Sequence, residues 1–172
     1  MKKSKYFGLH FLILLVFFTV TACKVKYSFS GASISTEVKT VTVQFFPNRA
    51  RLVNPTLSQQ FTDALMDKVK GQTSLIFMEN GGDVTFEGEI TDYKTNYLAV
   101  TAQEISAMTR FTIAIRIKYT NIIDEGQDFD RIFTRYKDYD STLDLSDVEE
   151  DLVTAIIEDI TVDAFNAAFV NW

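Results

Sequence analysis

The chain has 172 residues, 47% of them hydrophobic, with 17 Lys and Arg against 23 Asp and Glu. That is enough for one domain with a real core and too few for two comfortable ones. The single Cys and the single His both lie in the first 23 residues. A chain cut before Cys23 would keep no His and only a terminal thiol, which excludes a His/Cys zinc site, Ser-His-Asp or Cys-His catalysis and an internal disulfide framework.

Lys2, Lys3 and Lys5 make a positive start, and Phe11 to Phe18 is an unbroken apolar run. The run is too short for a transmembrane helix, which needs about 20 apolar residues, and has the length of a secretion-signal core. It ends at Val20-Thr21-Ala22-Cys23, small residues ahead of a Cys, which is the pattern of a bacterial lipobox. Residues 1–22 are therefore expected to be a lipoprotein signal peptide, with 23–172 a single domain. Cys23 is the expected lipid attachment site, acylated on its sulfur and on the new amine by palmitate-type chains. Each buried CH₂ contributes about 0.8 kcal/mol, so three chains make a lasting anchor. Lys24, Val25 and Lys26 place no acid beside the anchor. In the enterobacterial sorting pattern an Asp there favours the inner membrane, so the expected location is the periplasmic face of the outer membrane.

Residues 38–46 alternate, with Val41, Val43 and Phe45 expected on one side of a half-buried strand. Asn54-Pro55 is a helix start, Asn as cap and Pro in the first position. Leu57, Phe61, Ala64, Leu65 and Val69 then share one helical face, Gln59, Gln60, Asp63, Asp67 and Lys70 face outward, and Gly71 is the expected stop. Leu75 to Met78 reads as a short strand and Gly81-Gly82 as a turn. Val84, Phe86, Gly88 and Ile90 alternate along a further strand. Tyr93 breaks that alternation, which predicts a bulge near Thr91-Asp92. Residues 98–108 read as a loop or irregular edge. Phe111, Ile113, Ile115, Ile117 and Tyr119 alternate on a long strand, Asp124-Glu125-Gly126 turns the chain, and Phe129 to Tyr139 returns as a hairpin partner. Ser146-x-x-Glu149 has the form of a capping box. The stripe Val153, Ile156, Ile157, Ile160, Ala164, Ala167 and Ala168 predicts a last helix to about Val170. The order β-α-β-β-β-β-α implies an α+β two-layer sandwich, a mostly antiparallel sheet with both helices on one face.

Charge is unevenly spread. After residue 22 the chain is acidic by nine charges, and from Asp138 to Trp172 there are ten acids and no base. That balance argues against a nucleic-acid partner. The hairpin is locally basic. Arg110, Arg116 and Lys118 share parity on its first strand. Arg131, Arg135 and Lys137 share parity with Phe129 and Phe133 on its second, opposite Ile132 and Tyr136. If pairing joins these two sets, one side of the hairpin carries six cations beside two aromatics. That side would suit a phosphorylated, acylated ligand or an anionic protein surface. A solvated face with cross-strand ion pairs would produce the same alternation.

The remaining constellations point to no chemistry. Asp138, Asp140, Asp144 and Asp147 lack the spacing of a calcium loop and read as caps and solvated acids, so no metal or other cofactor is expected. Glu87 and Glu89 share a strand face, which exposed carboxylates on strands commonly do. Gly81-Gly82 lacks the Lys-Ser/Thr of a phosphate loop. A carboxylate-dependent hydrolase would need a pocket and a partner for its acids, and neither is visible. No enzyme activity is expected.

A series of segments follows in one order: Cys23 with Tyr27–Gly31, then Lys39–Phe46, Leu52-Val53-Asn54-Pro55 leading into Leu57–Thr62, and Gly82–Ile90 with Asp92-Tyr93. Further on come Arg110–Ile113, Phe133–Tyr136, Asp138-Tyr139, Asp163–Asn166 and the closing Asn171-Trp172. Their order is a resemblance, over nearly all of residues 23–172, to the LptE family of lipopolysaccharide-assembly lipoproteins in its Bacteroidetes form. It implies a plug and chaperone within a large β-barrel protein of LptD type at the outer membrane, aiding barrel assembly and the passage of lipopolysaccharide to the outer leaflet. Lipopolysaccharide itself is then a candidate ligand, and Arg110, Arg116, Lys118, Arg131, Arg135 and Lys137 are the candidate contacts. The alternative is a periplasmic lipoprotein serving as accessory subunit of another envelope transport complex; the protein that co-purifies separates the two.

Overall fold

The computed structural model describes residues 34–52, 54–98 and 107–170. The signal segment, Cys23, most of the 98–108 segment and the closing Asn171-Trp172 lie outside the described residues. Five strands, β1 (Thr40–Val43), β2 (Ile76–Phe77), β3 (Val84–Tyr97), β4 (Met108–Asn121) and β5 (Phe129–Asp140), form one sheet in the order β2-β1-β3-β4-β5. β1 runs parallel to both its neighbours, while β3, β4 and β5 form an antiparallel meander. A parallel pair needs a crossover, and helix α1 (Leu57–Gln72) supplies it between β1 and β2. Helix α2 (Leu145–Phe169) follows β5. The result is the expected α+β architecture: a mostly antiparallel open sheet with two helices.

Strand alternation explains the two layers. On β4 the odd-numbered Phe111, Ile113, Ile115, Ile117 and Tyr119 are buried, and on α2 Val153, Ile156, Ile160 and Ala164 fall on the stripe that meets them. Phe169 packs edge-on against Phe86 and Tyr119, with ring centroids 5.8 Å from each. Burial of such side chains contributes about 1.5–3 kcal/mol apiece, which is why both helices cover the same face. Among the described residues no helix is long and apolar enough to cross a membrane.

The register shift lies between Ile90 and Asp92, where the sequence predicts a bulge. Thr91 is the surplus residue. Because of it, Ile90 and Tyr93 both point into the core, and Tyr93 lies edge-on to Phe111 at 4.9 Å. Gly88 is required by close approach: a Cβ there would stand 2.0 Å from the Arg116 carbonyl oxygen and 2.8 Å from the Phe46 ring.

Four local expectations are corrected. β1 ends at Val43, and the chain then turns, so Phe46 rather than Phe45 is buried. Phe46 meets Phe61 edge-on at 5.0 Å, and its N–H donates to Thr62 Oγ1, while Phe45 is 57% exposed. α1 begins two residues late. Asn54 Oδ1 accepts from the N–H and the hydroxyl of Thr56, an Asx turn ahead of the helix rather than its cap. Gly71 does not stop α1, which runs to Gln72 and closes with the Thr73 N–H on the Val69 carbonyl. The Ser146–Glu149 capping box does not form. Asp144 occupies the cap position, and Glu149 turns instead to Tyr93 and Asn54.

The helices run in the same direction. Asn54, ahead of α1, donates to Glu149 near the start of α2, and Lys68 near the end of α1 lies over the Phe165 ring near the end of α2. This follows from the topology: β1 and β5 point the same way, and each feeds a helix that returns over the same face.

Candidate ligand and partner surfaces

The register of β4 and β5 decides where the six cations lie. Residues directly opposite across a strand pair share a face. Phe111 faces Lys137, Ile113 faces Arg135, Ile115 faces Phe133, Ile117 faces Arg131 and Tyr119 faces Phe129. Arg131, Arg135 and Lys137 therefore lie on the helix side, at its outer edge. Arg110, Arg116 and Lys118 are opposite Asp138, Ile132 and Asp130, on the open side of the sheet. The expected single face of six cations is thus split three and three. The reason is that Phe129 and Phe133 join the apolar side of β4: Phe129 stacks on Tyr119 at 5.4 Å and is buried.

On the open side the cations are held in place. Arg110 donates Nε and Nη2 to the two carboxylate oxygens of Asp138, each at 2.8 Å. Arg116 makes the same fork to Asp130, at 2.8 and 2.6 Å. Lys118 Nζ donates to Glu87 on β3 at 2.7 Å. Each forked guanidinium lowers the pKa of its carboxylate below the ordinary value, chiefly through the hydrogen bonds, and is itself raised. A fork uses two of the five N–H donors of an Arg, so three remain for a ligand. Two exposed apolar side chains stand among these pairs: Ile132, 61% exposed and opposite Arg116, and Tyr136, 50% exposed with the Arg110 guanidinium 3.6 Å from its ring centroid. The open side therefore has the combination expected of the hairpin, cation beside apolar group, with Ile132 and Tyr136 in place of Phe129 and Phe133. Once the register is known, strand alternation alone assigns them; the sequence left the register open.

On the helix side Arg135 pairs with Asp163 and Lys137 with Asp159, at 2.6 and 2.8 Å, tying β5 to α2. These two acids belong to the run of acids in the C-terminal segment, so part of that run is neutralised by the strand before it. Arg131 has no ion pair among the described residues and lies 5.1 Å from the Phe129 ring centroid. Asp140 accepts from the backbone and hydroxyl of Thr142. Among the described residues no group of three or more acidic, His or Cys side chains is arranged to hold a metal ion.

Known proteins place this fold. It is similar to the structure of a minor lipoprotein from Acinetobacter baumannii, at 8% identity over 76% of this chain and 91% of that one, with a TM-score of 0.51. It is similar again to hypothetical protein CT253 from Chlamydia trachomatis, at 9% identity over 78% and 99%, with a TM-score of 0.52. At such identities the likeness is one of fold. No curated protein matches the sequence. The model of the LptE lipopolysaccharide-assembly family matches residues 38–167, from the approach to β1 to the last turn of α2. The chain belongs to that family, the LptE lipoproteins of lipopolysaccharide assembly.

Proposed function

We propose that this protein is anchored by acylated Cys23 to the periplasmic face of the outer membrane. There it assists an LptD-type β-barrel to assemble and to pass lipopolysaccharide to the outer leaflet, as plug and chaperone rather than as enzyme. The observation that carries the reading is the family match across residues 38–167. The open side of the sheet supports it. Lipopolysaccharide offers phosphates or carboxylates next to acyl chains, and Arg110, Arg116 and Lys118 beside Ile132 and Tyr136 complement both. The helix-side set, Arg131, Arg135 and Lys137, is the second candidate contact; two of its members are already engaged with α2.

Affinity purification of the full chain from its own outer membranes should recover a large β-barrel protein in stoichiometric amount, identified by mass spectrometry. Recovery of a different envelope complex in its place would overturn the reading. The two cation sets are separated by charge reversal. Arg110→Glu with Arg116→Glu should weaken lipopolysaccharide or barrel binding, more so at low salt, while Arg131→Glu should leave it nearly unchanged. The reverse ranking would move the contact to the helix side.

A further inference from the structure

The groove between the two parallel helices is a second surface, facing away from the sheet. Its volume is about 550 Å³, and its floor is apolar, made by Ala64, Ile157 and Val162. Asp63 and Asp67 of α1 and Glu158 of α2 line it with acid, and none of the three has an ion pair among the described residues. The one cation in it, Lys68, lies 5.8 Å from the Phe165 ring centroid. Thr161 also lines the groove. It is 4% exposed, and its hydroxyl oxygen has no hydrogen-bond partner among the described residues.

We propose that this groove binds an extended, lysine- or arginine-bearing segment of a protein partner. The charge selects the class: phosphate and carboxylate ligands are repelled by Asp63, Asp67 and Glu158, and a cationic chain is attracted. Shape selects an extended peptide. The lining residues run from Gln60 to Lys68 on one helix and from Thr154 to Val162 on the other, about 12 Å of helix at 1.5 Å per residue. That is the length of about four extended residues. Alternate side chains of such a segment would set an apolar group on the floor and a cation against the acids. This surface adjoins the helix-side cation set, since Glu158 and Val162 also border Arg135, but Arg135 is engaged by Asp163, and the proposal does not depend on lipopolysaccharide being a ligand.

The test uses the purified full chain in detergent and two fluorescent tetrapeptides, Lys-Leu-Lys-Leu and Glu-Leu-Glu-Leu, followed by anisotropy at low salt. The basic peptide should bind at least about tenfold more tightly than the acidic one. Asp63→Asn with Asp67→Asn, both at exposed positions, should erase most of that difference. Glu158→Gln, at another exposed position, should shrink the difference in the same direction. Should the double variant fail to fold, Asp63→Asn alone replaces it with the same expected direction. Equal binding of the two peptides, no binding of the basic one, or affinities unmoved by these variants would overturn the proposal.

Discussion

Tyr93 of β3 donates its phenolic hydrogen to Glu149 of α2, and Asn54, ahead of α1, donates to the same carboxylate oxygen at 3.0 Å. Three segments distant in sequence thus meet at one oxygen. Burial, and next the hydrogen bond to Glu149, raise the pKa of Tyr93, so the phenol stays protonated and keeps donating. Tyr93→Phe should cost about 1.5–3 kcal/mol of stability by urea unfolding, the net worth of a hydrogen bond to a carboxylate. A Tyr93→Phe variant as stable as the parent would mean that the joint is ornamental.

The last helix should be the most sensitive element to truncation. Ile156 is fully buried, and Ile156→Ala should cost about 2–5 kcal/mol. The same change at Ile132, on the open side, should cost less than about half a kcal/mol. Chemical denaturation of the pair measures the contrast directly.

Gly88→Ala places a methyl group against the Arg116 carbonyl. Either β3 and β4 separate there or Phe46 is displaced. The expected loss is at least about 2 kcal/mol, with hydrogen exchange speeding up first in the amides of Phe86 to Ile90.

Acid should unfold the domain through its paired carboxylates. Asp83, Asp130, Asp138 and Asp140 all have folded pKa values below the ordinary 3.8, the first held by the Lys39 and Thr40 amides, the next two by Arg116 and Arg110, the last by Thr142. A lowered folded value means stability fully present above the unfolded pKa and lost as the pH falls through the folded one. The melting temperature should therefore be flat above about pH 5 and fall below about pH 4. Asp138→Asn should flatten part of that fall.

Cys23→Ala should leave an uncleaved precursor that takes up no acyl label and fractionates away from the outer membrane. Normal processing of that variant would refute the lipid attachment site.

Periodicity made most of the fold legible. The Phe111–Tyr119 alternation, the Val153–Ala168 stripe and the Tyr93 break each report burial in the local chain, and each has its counterpart in the structure. The capping box, Phe45 and the hairpin face failed for one cause: side chains whose partner is far away in sequence. Glu149 has capping-box spacing but is claimed by Tyr93, 56 residues earlier. Phe45 and Phe46 are adjacent and equally apolar, and only the position of Phe61 decides between them. The two cation sets of the hairpin part because parity within a strand is written in the sequence, whereas register between strands is set by which aromatics the core can accept. Thr161 gives no signal in sequence, because an unpaired hydroxyl is a property of its surroundings.

The surplus residue in β3 makes length negotiable at one point of the sheet. Ile90 pairs with Ile115 and Asp92 with Ala114, so a chain lacking Thr91 could close the ladder without a break, with Ile90 and Tyr93 still inward. The deletion would forfeit only the hydroxyl bond to the Ala114 carbonyl. β4 is paired on both edges and carries no such surplus. Loss of a single residue near its centre would exchange the inward and outward side chains of everything beyond it, burying cations and exposing isoleucines. Insertions and deletions among descendants of this chain should therefore be tolerated at position 91 and purged along Met108–Asn121.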